Sequence, residues 1–575
     1  MSYLRNRGLG RSLVALFAFA CLSATAATAA EKPQLSRQQA QEVLRVIAPD
    51  AVIATKPSTV DGLRVPQGDE KLFGLFPAIF PFEFRPIDGA GTNGLHPDWG
   101  AAQTALLRLT TVDYADGAQA PAGGDRESPR FISNAVVAQP GDLPNDAGAT
   151  DFLWQWGQFL DHDLDLAPLA SPAEPFDIDV PLGDPFFDPF FTGTVKIPLN
   201  RSIYDVVGGV RQQLNFITAF IDASNVYGSD DELAEELRTL VGGRLKTSAG
   251  DLLPFDPGNP GFFLAGDERS NEQVGLTSMH TLWVREHNYW ADFFASTGLT
   301  DDDELLYLLA RAVVGAEMQV ITYKEFLPLL LGPNALKPYK GYKRNVNPGV
   351  SNVFATAAYR VGHTMLSPQI LRLDADGDEI AAGHLSLIDA FFNPAEVIDH
   401  GIDPILRGLA TQPAQQIDSY IVDAVRNFLF GPPGAGGFDL ASLNIQRGRE
   451  HGLPSYNQVR VDFGLPARTS FAQVSSDPIV QANLAAAYAT VDDIDVWVGG
   501  ISEDHVPGAL VGETLRAILA DQFQRARDGD RFWYKTYFTV LAPLLETQTL
   551  SKVIRRNTGI GAELQANAFL GAVSP

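Results

Sequence analysis

Apolar residues recur at three- and four-residue spacing along seven stretches of the second half and middle of the chain: 232–240, 277–294, 302–323, 418–430, 478–489, 512–527 and 537–545. That period lines one face of a helix, and strand-type alternation is rare and short by comparison. An eighth helix is predicted over 151–165, DFLWQWGQFLDHDLD. Phe152, Leu153, Trp156, Phe159 and Leu160 give it a broad apolar surface, and Gln158 and His162, one turn apart, share a face. Asp161, Asp163 and Asp165 crowd His162. In so apolar a segment three carboxylates need bonds, cations or hydrogen-bond partners, unless they form a solvated stripe.

Between the helices, residues 84–139 are rich in Gly, Pro, Asn and Asp and predict irregular structure with short helices. Residues 168–200, aromatic and proline-rich, predict a surface-hugging loop. Asp374, Asp376 and Asp378 surround a glycine that comes too early for an EF-hand loop, so a turn between short strands is expected. Residues 431–437 lack the spacing of a nucleotide fingerprint. With no repeat, coiled coil or clear linker after residue 80, the pattern predicts one large, mainly α domain over 81–575, with few short strands and long irregular loops.

Composition refines this picture. At 575 residues and 45% hydrophobic the chain can bury a large core. Residues 1–30 read as a secretory signal: Arg5, Arg7 and Arg11, an apolar run from Leu13 to Leu22 too short to span a bilayer, then small residues to Ala30. Cleavage there removes the only cysteine, Cys21, leaves no disulfide and favours another stabiliser such as a metal. It also removes three of 43 basic residues, leaving 40 against 69 acidic ones, or −29. Such acidity argues against nucleic acid or anionic membrane as partners. Residues 31–80 read as a loosely attached N-terminal segment with an amphipathic patch at 41–47.

Three further segments carry candidate chemistry. Thr218, Asp222 and Ser224 stand at alternate positions around Phe220, so an extended backbone turns their oxygens to one side, as a hard divalent cation requires; an N-cap or turn is the local alternative. Arg269 and Glu272, three apart, reach one space, which as an isolated pair is also an ordinary salt bridge. His363 follows a glycine in AAYRVGHTMLSP and could be a core histidine or an axial metal ligand. His280 and His287 do not have HExxH spacing and read as structural.

The run Trp156 to Asp163, WGQFLDHD, resembles the W-G-Q-x-x-D-H-D pattern of the animal-type haem peroxidases (the peroxidase-cyclooxygenase superfamily), and the chain looks like a bacterial-style secreted member. RFISNAVVAQ, YRVGHT, LNIQRGREHGLPSYN, IDVWVGGISE, RDGDRFWY and RRNTGI follow in the family's order, with Glu450 where Asp is commoner. The resemblance implies that His162, Arg269 and Gln158 are catalytic, and that His363 binds the haem iron with Asn444 behind it. It implies that Arg360 pairs with a propionate and that Asp161 and Glu272 form ester links to haem b. Gln273 stands where some members have a methionine bonded to a haem vinyl group, so that link is absent. Asp163, Thr218, Asp222, Ser224 and the Phe220 carbonyl resemble the family's Ca²⁺ site. The implied function is a secreted peroxidase that reduces hydrogen peroxide through a ferryl haem and oxidises halide, pseudohalide or phenolic donors. A fatty-acid dioxygenase of the cyclooxygenase branch and a non-catalytic adhesion protein are the rivals.

Overall fold

A computed structural model describes residues 83–298, 300–538 and 541–571. The expected signal at 1–30 and the whole of the N-terminal segment at 31–80 lie outside them. The described chain is mostly helical, and the helices that matter for the site are α1 (Phe152–Leu164), α2 (Val274–Thr297), α3 (Asp303–Ile321), α4 (Leu440–Glu450), α5 (Val496–Ser502), α6 (Glu513–Asp528) and α7 (Leu550–Asn557).

Helices α2 and α3 form the central pair. Gln273 caps α2 by accepting from the Gly275 N–H, and Gly298, at φ 68°, ends it in the left-handed conformation that glycine adopts without penalty. Asp302 then caps α3 through the Leu305 N–H, so one short connection reverses the chain. Both helices are buried around most of their circumference, which explains why a one-sided periodicity understates α2 at each end. Helix α3 continues through a π-turn, Thr322–Phe326, into Leu327–Leu331. The resulting apolar rod is the one helix among the described residues both long and apolar enough to cross a membrane, yet 89% of its apolar window is packed inside the protein. Helix α1 lies across α2 through aromatic contacts: Trp156 and Phe159 sit 5.8 and 6.1 Å from the Trp283 ring, and Phe569 closes on Trp156 edge-on at 6.2 Å.

Strands are few. Val210–Asn215 pairs antiparallel with Tyr204–Val207 on one side and Thr104–Ala105 on the other, and two further sheets have two strands each. One of them, Ile178–Asp179 with Lys196–Ile197, gives 168–200 a small core of its own (Ile178, Val180, Phe187, Ile197), so this segment is more than a loop lying on the surface. Asp374 accepts from the Asp376 and Asp378 N–H groups, the turn expected there.

Three predicted helices are shorter than their periodicity suggests. Over 418–430 only Asp423–Arg426 is helical: the Ile421 N–H bonds to Val137 O, and Phe430 at φ 63° with Gly431 and two prolines breaks the far end. The 232–240 helix stops at Glu236 because Lys246 N bonds back to Leu237 O. The 537–545 stretch resolves into two single turns, Tyr534–Tyr537 and Ala542–Leu545.

Candidate active site

Helix α1 packs directly on a tight turn, Tyr359–Thr364, that carries His363. Along α1 the side chains alternate in fate: Leu160, His162 and Asp163 are buried, whereas Gln158 and Asp161 are only partly covered, with the Asp161 side chain 32% exposed. Arg269, Glu272, Arg360 and His363 share this half-exposed state while Asn271, Gln273, Val361 and Thr364 beside them are buried. The polar side chains therefore open on a common cleft between α1, the segment at 267–273 and the 359–364 turn.

On the α1 side, Arg269 reaches towards Asp161, Nη1 to Oδ2 3.5 Å, and is held from behind by Asp267 through Nε at 2.9 Å and Nη2 at 2.8 Å. Asp267 also caps the short turn Glu268–Asn271 through the Arg269 N–H, and its Oδ1 lies 3.5 Å from His162 Nδ1. Burial alone would raise the Asp267 carboxyl, but the charge and hydrogen bonds of Arg269 override it and hold it well below the ordinary carboxylate range. Elsewhere on this side burial wins: Asp161 is raised and Glu272 is pushed up to about 7. Burial, then Arg269, pushes the His162 imidazole well below its usual range and keeps it neutral. A chain of amides links these groups. Gln273 donates to the Gln155 and Gln158 oxygens at 2.7 and 3.0 Å, and Gln158 donates to Glu272 at 3.0 Å. The side chain of Gln273 thus turns into the helices and orients Gln158.

Across the cleft, the one hydrogen-bond partner of His363 among the described residues is Asn444 of α4, whose Nδ2 lies 2.8 Å from His363 Nδ1. Burial pushes the His363 imidazole down to about 3. Arg360 donates to the Asn444 oxygen at 3.2 Å and to Ala355 O at 3.1 Å, and its charge interacts with Asp161 and Arg269 across the cleft. Trp497 of α5 donates to Arg360 O and fixes the turn from behind.

The predicted cation-binding residues also come together. Both Asp163 oxygens are occupied: Oδ2 accepts from the Asp222 and Ala223 N–H groups, and Oδ1 from Ser224 Oγ at 2.9 Å. Thr218 Oγ1 donates to Asp222 Oδ1 at 2.9 Å, and all of these side chains and Phe220 are buried. Asn225 adds a bond to Phe159 O, so the 218–225 strap is tied along α1. Asp222 and Asp530 share Arg85, whereas Asp163 has no ion-pair partner among the described residues. Burial, then repulsion from Asp222, raises the Asp163 carboxyl well above its usual range.

His287 is structural as expected, bonded to Tyr227 OH and Gly243 O, and His280 is buried edge-on to Phe159. Asp267 and Gln155 were not singled out by sequence reasoning. A carboxylate two residues before an arginine reads as an ordinary turn cap, and only the D-x-R spacing beside the Glu272 motif hinted at more.

The sequence profile of the animal haem peroxidase domain matches residues 84–569. Peroxinectin A of Dictyostelium discoideum is 37% identical over 85% of this chain and 96% of its own length, and human eosinophil peroxidase is 37% identical over 83% and 75%. The solved structure of Peroxidase A from Dictyostelium discoideum superposes with a TM-score of 0.80 at 35% identity, covering 85% of this chain and 99% of that one. With the motifs in order, the cleft formed and the whole described fold matched, the chain belongs to the animal haem peroxidase family and is a haem-dependent peroxidase.

Proposed function

We propose that this chain binds haem b in the cleft between His162 and His363, reduces hydrogen peroxide there and oxidises a small halide, pseudohalide or phenolic donor. The observation that carries the reading is the pairing of a neutral imidazole beside a braced arginine on one wall with a second imidazole, backed by an amide, on the other. The donor set fits the group. His363 would hold iron through Nε2 with its Nδ1–H donated to the Asn444 amide oxygen, which asks the amide to turn from the orientation in which Nδ2 faces Nδ1, and Arg360 would pair with a propionate. Asp161 and Glu272 would hold the macrocycle through ester bonds, a role supported by burial, which raises both carboxyls and so favours their uncharged form.

Haem, when bound, supplies the redox chemistry. The chain's own part is proton and charge management. His162 takes a proton from peroxide on Nε2 and returns it to the departing oxygen, a general base and then acid. Arg269, fixed by two bonds to Asp267, stabilises the negative charge that develops as the oxygen–oxygen bond breaks. Gln158, its amide oriented by Gln273 and Glu272, places water or a small anion.

Calcium at Asp163, Thr218, the Phe220 carbonyl, Asp222 and Ser224 completes the proposal. Its support is the charge imbalance: among the described residues buried Asp163 faces Asp222 with no ion-pair partner of its own, and the one cation beside Asp222, Arg85 at 3.3 Å from Oδ2, is shared with Asp530. Export is proposed from the signal-like residues 1–30 alone. The filled positions 162, 269 and 363 favour catalysis over adhesion, and the intact acid–histidine–acid run favours a peroxidase over a fatty-acid dioxygenase. Pyridine-haemochrome analysis before and after peroxide treatment, with bromide and guaiacol as donors, tests the reading. A Soret band with peroxide-dependent oxidation is expected; a colourless, inactive protein overturns it.

A further inference from the structure

We infer that Asp267 is the positioning residue for His162 as well as for Arg269, fixing which imidazole nitrogen faces the cleft. This rests on the proposed role of His162. The observations are geometric. His162 Nδ1 is buried and has no hydrogen-bond partner, a costly state for a ring nitrogen enclosed in protein. Asp267 Oδ1 is the one carboxylate oxygen within ion-pair range of it among the described residues, at 3.5 Å. Asp267 is itself 3% exposed, and Arg269 uses three of its roughly four acceptor sites: Oδ1 from the backbone N–H and Nε, Oδ2 from Nη2. The site left free is on Oδ2, whereas Oδ1, the oxygen nearest the unpaired imidazole nitrogen, already accepts twice from Arg269; a small turn of the carboxylate brings the free site to His162 without releasing the guanidinium.

Its consequence follows from imidazole chemistry. An acceptor at Nδ1 keeps the proton there, so that Nε2, on the far side of the ring, carries the lone pair that receives a proton from a ligand in the cleft. Without the carboxylate, the ring is free to protonate Nε2 instead and to rotate, and the base is lost although His162 remains. A carboxylate behind an imidazole does the same for the histidine of hydrolytic triads. Here the carboxylate differs in serving two groups at once. The guanidinium that stabilises charge and the imidazole that moves the proton are registered against a single side chain, which sits on the turn Glu268–Asn271 rather than on α1.

Hydrogen cyanide, which must surrender its proton on binding, and carbon monoxide, which has none to give, separate this role from a structural one. Ferric protein matched for haem content is mixed with cyanide in a stopped-flow instrument, and ferrous protein with carbon monoxide. Asp267→Ala is expected to slow cyanide association about 100-fold, with carbon monoxide association within about twofold of the unsubstituted protein. Asp267→Asn should fall between, because it can offer its oxygen to His162 only by turning its amide N–H groups on Arg269; it also serves should the alanine variant fail to fold. In an Arg269→Gln background, Asp267→Ala should still slow cyanide at least about tenfold. Equal slowing of both ligands, an unchanged cyanide rate, or no further effect in the Arg269→Gln background each overturns the inference. An unsubstituted protein without a Soret band overturns the haem reading beneath it, and a coloured protein whose cyanide rate ignores residue 267 overturns this inference alone.

Discussion

The two walls of the cleft present one imidazole each, and they are built on different principles. His162 stands on a thirteen-residue helix amid Asp161, Asp165, Asp267, Glu272 and Arg269. His363 stands on a six-residue turn and has, among the described residues, a neutral amide as its only direct polar partner. In the proposed mechanism charge is gathered where a proton has to move, since a fixed field of carboxylates and a guanidinium can steer it. The opposite wall would there need one nitrogen lone pair of constant basicity, which a neutral amide accepting from Nδ1–H would support with the least electrostatic disturbance. Sequence distance does not separate the walls; their surroundings do.

The strongest test of this contrast removes the quiet wall. His363→Ala is expected to abolish haem binding, read as loss of the Soret band on purification and reconstitution, whereas His162→Ala should keep the colour and lose peroxide reactivity by about 10² to 10⁴. A normal ferric spectrum in His363→Ala would refute the assignment. Next come the carboxyls of the charged wall. After peroxide treatment the unsubstituted protein should retain haem in acidified organic solvent, and Asp161→Val with Glu272→Gln should release it; release from the unsubstituted protein removes the ester proposal.

The strap beneath the charged wall gives a smaller effect. Asp163→Ala deprives two backbone N–H groups and Ser224 of their acceptor and should cost about 3 kcal/mol, read as a lowered Tm. Chelation should lower Tm and turnover of the unsubstituted protein but add little in the variant. Unchanged melting after exhaustive chelation excludes the cation.

The smallest effect is a pair of opposed pH slopes in the haem-free protein. Glu272, raised from 4.5 to about 7, keeps its proton in the fold over a range where the unfolded chain has lost it, so its contribution is present below pH 4.5 and lost as pH rises through 7. His363, lowered from 6.5 to about 3, is neutral in the fold where the unfolded chain is protonated, so its contribution is present above pH 6.5 and lost as pH falls through 3. Urea midpoints across pH should lose the first slope in Glu272→Gln and the second in His363→Ala. Parallel slopes in both variants would show that the walls do not differ in this way.

Much of the charged wall was legible in the chain because it is local: WGQFLDHD places Gln158, Asp161, His162 and Asp163 by helical spacing alone. The 218–224 oxygens were legible as a pattern, but their joining to Asp163 is a tertiary fact. The quiet wall was legible only through the family resemblance, since Asn444 on α4 and His363 on a short turn stand 81 positions apart with no periodicity to link them. Asp267 escaped because a cap aspartate looks the same whether or not an imidazole stands behind it. Residues 418–430 misled because Ile421, Val425 and Leu429 satisfy a helical spacing while the backbone bonds elsewhere.

The strap over α1 has an outcome for endurance. Asp163 adjoins His162 in the chain and is gripped by backbone from 222 and 223, so slack in that grip reaches the imidazole through a single peptide link. Heating or prolonged storage should therefore silence the molecule while its far-ultraviolet dichroism is still native. Loss of its chemistry should precede loss of its helices.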